Sequence, residues 1–124
     1  MAALSLFPSC ESDTKILAGY QNGEELEEGD LIPFLLHQNF PNPFNPRTSI
    51  RFDVGKSLHL TMKVYTDDWQ EVSKLVDDEF DENTFHTVIF QGINSDGEEV
   101  PSGSYFYTLE GGGVILIRKM TVLK

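Results

Sequence analysis

Three histidines (His37, His59 and His86), one cysteine (Cys10) and twenty carboxylates are the side chains available here for an acid, a base, a nucleophile or a metal site. The histidines are scattered, and none falls in a GxSxG or HExxH pattern. His59 and His86 lie on the polar phases of alternating segments, as surface histidines do. Asp77-Asp78-Glu79 and Asp81-Glu82 supply paired carboxylates, but a run of like charges reads as a solvated loop. Glycoside hydrolysis also needs a cleft between its two acids, which a chain this short rarely builds. Asp77, Glu79, Asp81 and Asn83 alternate like the first ligands of an EF-hand. However, Glu82 stands where that loop needs glycine and Val88 where it needs the bidentate glutamate. Cys10 has no second cysteine for a disulfide and no Cys/His neighbours for zinc. No catalytic, cofactor or metal constellation emerges, and the chain reads as non-enzymatic.

What remains is a scaffold. At 124 residues and 14.0 kDa the chain has room for one domain, and 40% hydrophobic residues are enough for a packed core. Its net charge of −11 repels phosphate backbones and anionic headgroups, so nucleic acid and membrane surfaces are poor partners. No apolar run reaches the roughly 18 residues of a membrane span. The segment from Met1 to Cys10 lacks the basic start of a secretory signal and is interrupted by Pro8. Residues 1–37 carry seven acids against Lys15, a net of −6, without sustained periodicity. They read as a largely unstructured acidic leader or linker. Residues 38–124 carry the other −5 and hold the regular alternation, so the domain is placed there.

Ile50, Phe52 and Val54 alternate with Arg51 and Asp53, and Leu58, Leu60, Met62 and Val64 with His59, Thr61 and Lys63. Period two predicts half-buried strands, joined through Gly55-Lys56-Ser57 by a hairpin or a crossover between sheets. Val72 to Val76 is a shorter candidate, followed by an acidic loop from Asp77 to Glu82. Phe85, Thr87 and Ile89 form one face of the next strand. Asn94-Ser95-Asp96-Gly97 is a strong turn signal, and Gly111-Gly112-Gly113 joins two closing strands. Six or seven short strands without a convincing helix predict an all-β fold, an antiparallel sandwich.

The most unusual segment is Asn39-Phe40-Pro41-Asn42-Pro43-Phe44-Asn45-Pro46. Its prolines exclude helix and central strand, so it is expected to cross the sandwich as a covering strap. Phe40 and Phe44 would be its buried anchors, and the asparagines would satisfy backbone groups nearby.

With Gln38 before it and Thr48, Ile50 and Phe52 after it, this segment resembles the opening of the C-terminal sorting domain of type IX secretion cargo. Val64-Tyr65, Glu71-Val72, Leu75-Val76-Asp77, the stretch from Gly97 through Pro101-Ser102-Gly103-Ser104-Tyr105 to Leu109, and Lys119-Met120-Thr121-Val122-Leu123-Lys124 match in order. The resemblance implies an immunoglobulin-like β-sandwich similar to that of flagellar hook-capping proteins. It implies an address instead of a catalyst. Such a domain is read by the outer-membrane translocon of Bacteroidota, often removed by a surface sortase-like protease, and attached to an upstream cargo bound for the cell surface through the periplasm. The implied recognition surface is the final hairpin: Ser102, Gly103 and Tyr105 with Arg118, Lys119, Met120 and Lys124. An exposed edge on the last strand would suit strand addition by a receptor, and Arg118, Lys119 and Lys124 make that end a basic pole. The 37 preceding residues are too few for a folded cargo, so the chain reads as the end of something, either a fragment of a longer secreted protein or the product of a misplaced start.

Three departures from the family pattern matter. Trp69 stands at the turn position where glycine is usual, so that turn is expected to take another geometry. Asn83 replaces a glycine and can itself adopt positive φ. Phe90-Gln91 replaces tryptophan-aspartate but keeps an aromatic for the core. The competing reading is a non-catalytic binding module for carbohydrate or a neighbouring domain, with an exposed Trp69 beside Tyr65 as its platform.

Overall fold

The alternating segments form two antiparallel sheets. The computed structural model describes residues 32–124 and, before them, the backbone of three two-residue strands: β1 (Lys15–Ile16), β2 (Tyr20–Gln21) and β3 (Glu24–Glu25). The readings of Cys10, of the N-terminal segment and of disorder in the leader otherwise lie outside the described residues. β4 (Phe34–Leu36), β5 (Thr48–Val54) and β8 (Thr84–Phe90) make one sheet, in the order β4-β5-β8. β6 (Leu58–Thr66), β7 (Glu71–Phe80), β9 (Gly103–Gly111) and β10 (Val114–Val122) make the other, in the order β10-β9-β6-β7, with β1 beside β10. No helix occurs among the described residues, and the fold is a seven-stranded β-sandwich.

Each sheet turns one phase of its strands inward. Ile50, Phe52 and Val54 of β5 face Leu60, Met62 and Val64 of β6 and Tyr107 and Leu109 of β9, all at most 1% exposed. Burying such side chains contributes roughly 1.5–3 kcal/mol each, which is what holds the two sheets together. Gly55-Lys56-Ser57 carries the chain across the sandwich, since β5 and β6 belong to different sheets. Gly112 and Gly113 (φ 58° and 83°) close β9 onto β10 in a two-residue turn whose ends, Gly111 and Val114, are paired. Asn94 caps its own turn by accepting the amides of Asp96 and Glu98 on Oδ1.

Five expectations change. The domain begins before residue 38, because Phe34 and Leu36 are fully buried and β4 pairs with β5. The run Asp77 to Phe80 is strand and not loop, because β7 continues through it against Leu58 to Thr61 of β6. An EF-hand-like loop is therefore absent there. In β8 the inward phase is His86, Val88 and Phe90, while Phe85 (64%) and Ile89 (43%) are exposed. His86 is not an ordinary surface histidine, since its ring stacks on Phe52 at 5.2 Å and meets Phe80 edge-on at 4.7 Å. Finally, Trp69 adopts φ 66°, the glycine-like conformation, and Asn83 does the same at φ 60° as expected.

Candidate functional site

The strap runs from one sheet to the other. Phe40 bridges to Ser49 of β5, and Phe44 bridges in parallel to Val122 of β10. Phe44 is the anchor, 2% exposed and edge-on to Phe90 at 5.9 Å. Phe40 is not an anchor: it is 78% exposed, while the adjacent Asn39 is buried at 2%. The bonds Phe40–Pro41, Asn42–Pro43 and Asn45–Pro46 are cis. Gly92 lets the strap's end approach, since a Cβ there would lie 2.5 Å from the Pro46 carbonyl oxygen.

Asn39 is the buried hub of the strap. Its Nδ2 donates to the Pro41 carbonyl at 3.0 Å and to Thr48 Oγ1 at 2.9 Å, and its amide donates to the Tyr107 hydroxyl at 2.8 Å. Tyr107 in turn donates to the His37 carbonyl at 2.7 Å. Tyr107 was not singled out from the sequence, yet a buried tyrosine on the inward phase of a strand has a hydroxyl that must find a partner. Asn42 accepts the Thr121 amide at 3.0 Å, while Asn45, Pro41, Pro43 and Pro46 are exposed.

This arrangement closes the edge of β10 that had been expected to stand open. The Phe44 amide donates to Thr121, Leu123 donates to Phe44, and Gln38 Nε2 donates to the Lys119 carbonyl. β1 pairs further along, at Leu116 and Ile117. Main-chain groups of the last strand are therefore already engaged by the strap.

The residues of the final hairpin divide by phase. Arg118 is 2% exposed and points inward with Leu116, Met120 and Val122, its Nε donating to the Leu36 carbonyl at 2.7 Å and Nη1 to Gln38 Oε1 at 3.3 Å. It ties β10 to β4 and adds nothing to an exposed basic pole. Met120 is core. Tyr105 is buried, and its hydroxyl donates to the Pro101 carbonyl four residues upstream, a tyrosine-corner contact. Burial first, and the Asp67 charge second, push the Tyr105 hydroxyl pKa up, so it remains a neutral donor. Ser102, Gly103, Lys119 and Lys124 are exposed. Ser102 Oγ accepts the Lys124 amide at 2.9 Å, and Lys124 Nζ reaches Glu99 at 3.0 Å. The accessible patch is thus Lys119 with the clasp of Ser102, Glu99 and Lys124.

A second surface lies on the outer face of the larger sheet. Trp69 lies flat on Phe106, with centroids 4.7 Å apart and planes 3° apart, and Tyr65 flanks it at 5.4 Å. Elsewhere, exposed His59 holds Asp77 through Nε2 at 2.5 Å and Glu79 through Nδ1 at 3.0 Å. No group of histidine, cysteine and carboxylate side chains suited to a metal ion occurs among the described residues.

No protein-family model matches the sequence, and no curated protein matches it. Among solved structures, the chain is similar to dimeric latent PorU from Porphyromonas gingivalis. The two share 18% identity with a TM-score of 0.62 over 81% of this chain and 10% of the other. The chain thus spans about a tenth of that protein's length. At this identity the likeness is one of fold, and it agrees with the seven-stranded sandwich.

Proposed function

We propose that the chain is a C-terminal sorting domain that directs an attached cargo through the type IX secretion system to the cell surface. The observation that carries this reading is the joining of its two most distinctive segments. The Asn39 to Pro46 strap and the closing Lys119 to Lys124 stretch, 80 residues apart at Asn39 and Lys119, are hydrogen-bonded to each other through Phe44, Asn42 and Gln38. Sequence motifs far apart along the chain thus form one surface element, as an address read by a receptor requires. The likeness to a region of PorU is one of fold, and the sandwich it shares is the fold that the sorting reading expects. The partners would be the translocon and a surface sortase-like protease, neither requiring catalysis or a cofactor from this domain.

The test is delivery. The full chain, fused behind a signal peptide and a reporter, is expected to reach the surface of a bacterium with a type IX system. Charge reversal at the exposed Lys119 and Lys124 is expected to hold the reporter in the periplasm. Surface delivery of the reversed variant at the parent level would remove these lysines from recognition, and no delivery of the parent would end the sorting reading.

One observation favours a second reading, a carbohydrate-binding module: Trp69 is 46% exposed beside Tyr65 and held flat by Phe106. Retention on a polysaccharide column that Trp69→Ala abolishes would support it. Passage of the parent chain without delay would sink it.

A further inference from the structure

The sandwich has two seams where its sheets meet edge to edge, and they differ. The seam at β10 and β4 is closed by the strap and by Arg118. The seam at β7 and β8 is open beyond Val72, whose carbonyl accepts the Ser95 amide: both strands end their sheets, so among the described residues neither has a strand on its far side. Between them runs a groove of about 320 Å³, lined by the apolar Phe52, Leu75, Val76, Phe80 and Val88 and by the polar Asp77, Asp78, His86 and Thr87. Leu75, Val76, Phe80 and Val88 are only partly buried, unlike the core behind them.

We propose that this seam docks an extended polypeptide segment of a partner, added as a strand to the free edge of β7, whose inward face reads apolar, basic, apolar. Strand addition supplies main-chain hydrogen bonds for affinity and leaves the alternate side chains to set specificity. The register defines that face. Val76, Asp78 and Phe80 pair with Met62, Leu60 and Leu58 of β6, so all three lie on the inward phase of β7. A strand laid beside β7 sets one side chain opposite each, and a lysine or arginine opposite Asp78, whose Oδ1 accepts the Glu79 amide, supplies the counter-charge it lacks between two apolar neighbours. No cation among the described residues pairs with Asp78, whereas Asp77 has His59 and Lys74 and Glu79 has His59.

The same charges exclude the simplest alternative. A second copy of this chain pairing through β7 would bring Asp77, Asp78 and Glu79 near their own images, and like charges opposite each other destabilise a sheet. Bulges in the β6–β7 ladder at Met62/Lys63 and Val64/Tyr65 also bend this edge away from indiscriminate pairing. The edge is therefore guarded against acidic and purely apolar strands and open to a basic one.

The inference stands apart from the sorting reading and is tested on the isolated full chain with a capped peptide, Thr-Val-Thr-Lys-Thr-Val-Thr, and its counterpart with glutamate at the centre. The lysine peptide is expected to bind and to slow amide exchange from Leu75 to Phe80, with the glutamate peptide weaker by about tenfold or more. Asp78→Lys is expected to reverse that preference, a result that loss of fold cannot mimic. Fluorescence of Trp69, the single tryptophan and not part of the groove lining, confirms that the variant is folded. Equal affinity for both peptides, an unreversed preference in Asp78→Lys, protection appearing at β8 or β10 instead of β7, or no binding at millimolar peptide would each overturn it.

Discussion

Leu123 donates its amide to the carbonyl of Phe44 at 3.0 Å, so a strap residue near the start of the domain holds the final residues of the chain. The link depends on the Phe44 ring, which is locked against Phe90 in the core. Phe44→Ala is expected to cost about 3–5 kcal/mol, as deletions of buried aromatic rings do, and to accelerate exchange of the Leu123 amide. Phe40→Ala is expected to stay within about 0.5 kcal/mol, because that ring is already in solvent. Urea unfolding of the two variants checks the contrast, and equal losses would mean that the strap is anchored at both rings.

Tyr107 bonds the strap from beneath. Its hydroxyl accepts the buried Asn39 amide and donates to the His37 carbonyl. Tyr107→Phe keeps the ring and removes both bonds, leaving the Asn39 N–H without this acceptor. A loss of about 1–3 kcal/mol is expected, the usual penalty for a stranded buried donor. Denaturant titration measures it, and a change below a few tenths would show that the hydroxyl is dispensable.

Trp69 occupies the third position of a three-residue loop. Thr66 donates to the Gln70 carbonyl and Trp69 to the Thr66 carbonyl, a geometry that puts the third residue at positive φ, where glycine is preferred. The face-to-face contact with Phe106 offsets the backbone cost. Trp69→Gly loses the stack but relieves the backbone, whereas Trp69→Ala loses the stack and keeps the strain. The alanine variant is therefore expected to be less stable than the glycine variant by about 1 kcal/mol. Thermal unfolding ranks them, and the opposite order would refute the strain argument.

The legible parts of the fold are those where charge and alternation agree. β5 and β6 carry apolar residues on one phase only, and the glycine turn before β10 can be read directly. β8 has apolar residues on both phases, so its alternation is ambiguous. The structure chooses Phe90 and His86 as inward because His86 fits between Phe52 and Phe80, and Arg51 lies 5.5 Å over the outward Phe85 ring. Arg118 misleads through its charge: counting by twos from Leu116 to Met120 places it inside, where the Leu36 carbonyl receives it. The acidic tail of β7 misleads likewise, because His59 and Lys74 neutralise part of a run that looks like a loop. β4 is hidden by its three-residue length. At the candidate site, the strap's path could be foreseen from its prolines and phenylalanines. The closure of the β10 edge could not, because it depends on hydrogen bonds between segments some 80 residues apart.

His59 offers both ring nitrogens to carboxylates, Asp77 at Nε2 and Glu79 at Nδ1, and only the imidazolium donates from both. The bond to Asp77 first, and that to Glu79 second, raise its pKa above 6.5. Stability from a raised histidine is fully present below the unfolded value and is lost as pH climbs through the folded one. Asp77 runs the other way. Bonds from His59 and then Lys74 lower it below 3.8, so its contribution is present above that value and lost as pH falls through the folded pKa. The cluster therefore stabilises between these limits and fades above pH 6.5 and below pH 3.8. His59→Gln is expected to abolish the upper limb and to weaken the lower one, where Lys74 still holds Asp77, each by a small amount because the cluster is exposed to solvent and salt. Following the His59 ring protons by NMR against pH checks the sign: a midpoint at or below 6.5 would contradict the geometry.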